Sequence, residues 1–272
     1  MPPTEPLTAA MTKACCADLY ASDWARLLLG DSLHPGGLKL TERLGNLLGI
    51  NVESRVLDLA AGRGASALHL ARVFGCHVVG VDYSAVNATQ ARQAAEDAGL
   101  SDRVEFLQAD AEQLSAVVGE AFDAVLCECA YCTFPNKHAA AAEIFRVLAP
   151  GGRFGLSDLT RNGVLPPELD GLLGWIACIA DALPIEAYAS QFNAAGLRVE
   201  RIEEQDEALA ELVHQLRGRL VGAELLTKVQ RLEMPLASFD FQQAKLVARR
   251  AADAVRAGVL GYTLMIASKP DV

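Results

Sequence analysis

The sequence is short of the residues that mark several common classes of protein. Basic side chains are in deficit: 24 Lys and Arg stand against 34 Asp and Glu, a net charge of −10. A surface of that sign repels phosphate backbones, which disfavours a nucleic-acid partner and points to a small-molecule substrate. No apolar run reaches the roughly 20 residues that a membrane-spanning helix needs, so no membrane partner is expected. The opening MPPTEPLTAA has neither the basic nor the apolar stretch of a secretory leader. A cytoplasmic location is expected, and there the seven cysteines, odd in number and without disulfide-framework spacing, should remain thiols. Internal repeats and low-complexity linkers are missing as well. What is present is 51% apolar residues over 272 positions, ample for one large domain carrying an appendage.

Residues 7–29 have helical character, and HPGG at 34–37 separates them from an amphipathic segment at 38–48. A pattern of strand, glycine turn and helix then begins. RVLDLA (55–60) is a continuous apolar run of the kind shown by a buried parallel strand, AGRGAS is the turn and ALHLARVF opens the helix. Further strands are predicted at 76–82, 103–110, 122–129 and 153–159, with helices at 84–99 and 138–149. Repeated βα units predict an α/β fold with a doubly wound, Rossmann-like parallel sheet. Beyond it the pattern predicts helices at 166–182 and 184–196, a strand at 197–204, two long helical stretches across 206–257 and a closing strand at 261–270. The organisation is therefore an N-terminal helical segment (1–50), a core (51–205), a helical insertion (206–260) and a final core strand (261–272). Tethered at both ends, the insertion is expected to act as a lid, the alternative being a homodimer interface.

In an open α/β sheet, ligands bind beyond the carboxyl ends of the strands where strand order reverses. The first loop there is Asp58-Leu-Ala60-Ala-Gly62-Arg63-Gly64, a close backbone turn at a helix N-terminus where main-chain N–H groups can meet a ligand. Asp82 ends the second strand, where a carboxylate can accept both hydroxyls of a ribose, a feature common to nicotinamide and S-adenosylmethionine enzymes. Two details favour the second class: Asp58 suits an ammonium group better than a pyrophosphate, and the third glycine falls at the GxGxG position. Asp110-Ala111, after the third strand, could meet an adenine amino group.

Together Asp58–Gly64, Asp82-Tyr83, Asp110-Ala111 and FDAVLCE resemble the cofactor motifs of the class I S-adenosylmethionine-dependent methyltransferases, over roughly residues 38–160. The resemblance implies S-adenosyl-L-methionine as cofactor and a seven-stranded sheet whose last strand is antiparallel. It carries cofactor contacts onto Asp58, Ala60, Gly62, Arg63, Gly64, Asp82, Tyr83, Asp110, Ala111 and Cys127. Ala60 stands where that superfamily usually has its first glycine, a small-for-small change expected to be tolerated.

Cys127, Cys129 and Cys132 crowd into LCECAYC at the end of the fourth strand. Cysteine often behaves as a small buried hydrophobe, a reading that suits Cys76 well. A zinc site is disfavoured because the three thiols are tightly spaced and lack a fourth ligand at the usual distance. Thiolates at the cofactor's methyl end could instead hold a soft atom such as trivalent arsenic. FDAVLCECAYCTFPNK resembles the fourth-strand loop of the arsenite methyltransferases, with a substrate cysteine falling on Cys129. LGWIACIADALPIEAYASQFNAAGL resembles the same family's helix, with a second on Cys178, and TKACCADLY resembles its early segment, matching Cys15 or Cys16. A further family cysteine is replaced by Ala67, and 206–257 has no counterpart in typical members.

The resemblance implies direct displacement on a thiol-bound metalloid, needing no general base. A methyltransferase for an organic thiol, hydroxyl or ring carbon is the alternative, and a non-catalytic cofactor- or metalloid-binding sensor is a third reading. His34 is expected to serve its turn. Glu128 either faces the cofactor or is solvated, and Tyr20, Trp24 and Trp175 line a cavity or belong to the core.

Overall fold

The computed structural model describes residues 13, 14, 17, 34–115, 121–169, 179, 181–228 and 240–271. Cys15, Cys16, Cys178, Tyr20, Trp24 and Trp175 lie outside these residues, as do nearly all of the helices expected at 7–29 and 166–182.

Helix α1 (Gly37–Leu48) is amphipathic and places Leu40, Leu44 and Leu48 against the sheet. It ends at Gly49, whose φ of 75° lets its N–H turn back to the Asn46 and Gly45 carbonyls. The βα repeat follows as β1 (Arg55–Leu59), α2 (Ala65–Phe74), β2 (His77–Asp82), α3 (Ala85–Asp97), β3 (Val104–Gln108), β4 (Phe122–Glu128), α4 (Lys137–Val147) and β5 (Leu148–Arg161). Ser84 and Asn136 cap α3 and α4 by accepting the Asn87 and Ala139 N–H groups. The chain closes with α5 (Ile185–Ala194), β6 (Arg198–Glu204), α6 (Asp206–Lys228), α7 (Phe241–Arg256) and β7 (Leu260–Ser268).

The seven strands form one sheet in the order β3-β2-β1-β4-β5-β7-β6. The first five run parallel, and β7 enters antiparallel between β5 and β6. Strands β1 and β4 are buried along nearly their whole length, as expected where helices cover both faces of a sheet. One boundary differs from the sequence reading. Strand β5 begins at Leu148 and takes in the PGG turn, because Gly151 N–H and Gly152 C=O are hydrogen-bonded to Lys269, just beyond the end of β7.

The chain returns from β3 at one edge to β4 beside β1, so strand order reverses between β1 and β4. That switch point fixes where a ligand site forms. Helices α6 and α7 pack on each other and on β7, and Asp206 accepts the Tyr262 N–H at 2.9 Å. Among the described residues no helix is long and apolar enough to cross a membrane.

Candidate cofactor and acceptor site

A cavity opens at the switch point, over the carboxyl ends of β1, β2, β3 and β4. Its lining includes Asp58, Ala60, Gly62 and Arg63 from the first loop, and Asp82, Tyr83, Asp110 and Ala111 from the second and third. Cys129 joins them from the end of β4. Residues predicted from four separate motifs therefore share one space.

The first loop is shaped by left-handed backbone at Ala60 (φ 57°), Gly62 (φ 56°) and Gly64 (φ 85°). Gly64 is needed for packing: a Cβ there would stand 2.4 Å from Cζ of Phe106. It does not itself line the cavity. Gly62 faces open space, where a Cβ would meet nothing within 4 Å, so its backbone is bare toward the cavity. Ala60 adopts the conformation that glycine takes freely, at a cost of about 1 kcal/mol.

Asp82 ties this loop to the next. Its Oδ2 accepts the Gly62 N–H at 2.9 Å, while Oδ1 accepts the Ser84 N–H at 2.8 Å and the Asn87 side-chain amide at 3.1 Å. Burial raises its pKa, and these hydrogen bonds oppose the shift. Asp58 is only 2% exposed, and its Oδ2 has no hydrogen-bond partner among the described residues. Burial pushes its carboxyl well above the usual range, and the charges of Glu128 and Asp82 push the same way. A buried carboxylate left short of donors fits a ligand that brings a cationic group.

At the other end, Lys13 bridges Asp110 at 2.7 Å and Glu112 at 2.6 Å. Its ammonium lies 6.0 Å from the Tyr83 ring centroid, and Lys13 also lines the cavity. Sequence reading gave Lys13 no role, because nothing in its surroundings announces a partner about a hundred residues away.

The cysteines part company. Cys129 follows β4 with φ 53°, donates its N–H to the Ser157 carbonyl at 2.7 Å and lines the cavity. Cys127 is fully buried, registered between Leu59 of β1 and Leu156 of β5, and burial raises its thiol pKa well above normal. Cys127 is not among the cavity's described lining residues. Cys132 is fully buried, with its N–H on Asp158 at 2.9 Å. Cys76 is core, its thiol pushed up to about 11 by burial.

Glu128 is turned inward. Its carboxylate accepts Ser66 Oγ at 2.6 Å, Thr41 Oγ1 at 2.9 Å and Ser157 Oγ at 3.4 Å, and lies 3.6 Å from His34 Nε2. The imidazole lines the cavity with Ser66 and Glu128, so His34 does more than shape a turn. Only the fold brings His34 to Glu128.

Residues 56–152 match the family model described as a methyltransferase domain. Methyltransferase GfsG of Streptomyces halstedii is 28% identical over 243 residues, covering 88% of this chain and 83% of that protein. The 27-O-demethylrifamycin SV methyltransferase of Amycolatopsis mediterranei is 26% identical over 278 residues, covering 94% of each. An arsenite methyltransferase of Halobacterium salinarum is 30% identical over 161 residues, but covers 56% of this chain and 39% of that protein. Among solved structures, cyclopropane synthase MmaA2 from Mycobacterium tuberculosis shares the fold, with TM-score 0.79 at 17% identity over 95% of this chain and 97% of that one. The chain carries a class I methyltransferase domain. It is an S-adenosylmethionine-dependent methyltransferase, with S-adenosyl-L-methionine as its cofactor.

Proposed function

We propose that the methyl acceptor is a small organic molecule. The observation that carries this reading is the make-up of the cavity beside Cys129. Cys129 is the only cysteine among the cavity's described lining residues, and His34, Ser66 and Glu128 line the cavity with it. The match along 94% of a relative named for a rifamycin substrate supports the same reading.

In this account Asp82 takes the cofactor's ribose hydroxyls, Asp58 its ammonium group and Asp110 its adenine amine. The bound cofactor supplies an activated methyl on a sulfonium. The chain's own contribution is to exclude water and hold the acceptor atom in line, an effect that can supply roughly 7–11 kcal/mol. Helices α6 and α7, of which no described residue lines the cavity, cover it only by closing. Slower hydrogen exchange in them when ligands bind supports that role, and unchanged exchange rejects it and leaves a homodimer interface as the alternative.

Cys129 favours a second reading, in which it holds trivalent arsenic jointly with Cys178 and with Cys16 or Cys15, the three partners that lie outside the described residues. The test is incubation with S-adenosylmethionine and, separately, phenol, cyclohexanol, thiophenol, aniline, or arsenite with glutathione. S-adenosylhomocysteine should form with an organic acceptor. Formation with arsenite alone, lost in Cys129→Ser, would replace the first reading by the second.

A further inference from the structure

We propose that the His34–Glu128 pair is the proton acceptor of the reaction, and hence that the methyl acceptor is a hydroxyl group; this rests on the organic-acceptor reading above. A hydroxyl at neutral pH is a poor nucleophile and loses its proton during attack, whereas an ionised thiol or an arsenic lone pair needs no base.

The imidazole is set up for this role. Its Nδ1 lies 3.0 Å from the Pro35 carbonyl, which can only accept, and in the tautomer with its hydrogen on Nδ1 it is Nε2 that is left to take a proton. Nε2 lies 3.4 Å from Thr41 Oγ1 and 3.6 Å from Glu128 Oε2. Both side chains are buried, with 4% exposed on each, yet both line the cavity. A proton arriving at Nε2 meets a carboxylate that the Ser66 and Thr41 hydroxyls hold in place.

The step balances. The acceptor O–H bond breaks and its proton passes to His34 Nε2, while the electron pair stays on oxygen. That oxygen forms the new O–CH3 bond, and the pair of the broken S–CH3 bond remains on sulfur as a neutral thioether. The imidazolium is held beside Glu128 until the product leaves and the proton returns to solvent.

The groups facing the imidazole are the Pro35 carbonyl, Thr41 on α1 and Glu128 on β4. Glu128 in turn meets Ser66 on α2 and Ser157 on β5, and it feels the charge of Asp58 on β1 and neighbours Tyr262 on β7. Protonation of this pair in the free enzyme would remove the base. A base that acts only unprotonated makes kcat/KM with phenol or cyclohexanol fall toward acid pH, and that fall is the readout the variant should remove.

The experiment compares wild type with His34→Gln on those alcohols and on thiophenol, alongside calorimetry of S-adenosylmethionine binding. His34→Gln should lose about 100-fold or more in kcat with the hydroxyl acceptor and flatten the acidic limb. It should keep cofactor affinity within about threefold and retain transfer to thiophenol. If it loses cofactor binding, His34→Asn and rescue of His34→Ala by added imidazole take its place. Absence of rescue together with an unchanged acidic limb then overturns the proposal. Full alcohol activity in His34→Gln, or wild-type transfer to thiophenol or aniline but to no alcohol, overturns it and leaves the organic-acceptor reading standing. Failure of wild type to methylate any organic probe removes both.

Discussion

Asp82 Oδ2 accepts the backbone N–H of Gly62 at 2.9 Å, joining the ends of β1 and β2 across 20 residues of sequence. The residue expected to hold the ribose is thus also the residue that shapes the loop beside it. Asp82→Ala should weaken S-adenosylmethionine binding at least tenfold, since each charge-assisted hydrogen bond is worth about 1.5–3 kcal/mol. It should also lower the apoprotein's Tm. Calorimetry showing unchanged affinity would remove Asp82 from the cofactor site.

Asp58 makes a prediction with opposite signs. Its folded-state pKa is raised by burial and by the charges of Glu128 and Asp82. The stability tied to its proton is therefore complete below the unfolded-state pKa and is lost as pH rises through the folded one. Above the unfolded-state pKa, keeping this carboxyl buried therefore burdens the apoprotein. Asp58→Asn should raise apoprotein Tm and lower cofactor affinity about tenfold or more. A lower Tm in the variant would mean that the carboxylate has a stabilising partner.

The two loop glycines should separate packing from ligand approach. Gly64→Ala drives a Cβ against Phe106, so both thermal stability and cofactor binding should fall. Gly62→Ala meets open space at φ 56°, and should cost about 1–2 kcal/mol of stability while losing cofactor affinity out of proportion. Equal losses of affinity per unit of stability in the two variants would contradict the assignment of Gly62 to the cofactor.

The sheet, its strands and the gathering of Asp58, Asp82 and Asp110 were legible in the sequence because they follow from local signals: apolar runs, glycine turns and strand-end acids at βα spacing. Tertiary packing decided what remained hidden. His34 sits in a turn whose local pattern explains it fully, and its contact with Glu128 exists only once α1 lies across the sheet. Lys13 likewise reaches Asp110 and Glu112 from another part of the chain. The LCECAYC cluster could not be divided by sequence alone for the opposite reason. Neighbours in sequence at the end of a strand point to different environments, so Cys127 and Cys132 enter the core while Cys129 turns to the cavity.

Cys76 tests the division among cysteines. It is fully buried, and burial pushes its thiol up to about 11, which favours the protonated, unreactive form at neutral pH. Cys76→Ser buries a hydroxyl in apolar surroundings and should cost about 1–3 kcal/mol in denaturant unfolding. Cofactor affinity and methyl transfer should not change. A loss of either at full stability would give this thiol a functional role.

The most direct measurement is a crystal structure of the chain with S-adenosylhomocysteine. The account predicts the ribose hydroxyls on Asp82, the ammonium group on Asp58, the adenine amine on Asp110, and the sulfur facing the pocket made by His34, Glu128 and Cys129. S-adenosylhomocysteine bound elsewhere, or turned so that its sulfur points away from Glu128 and Cys129, would contradict it.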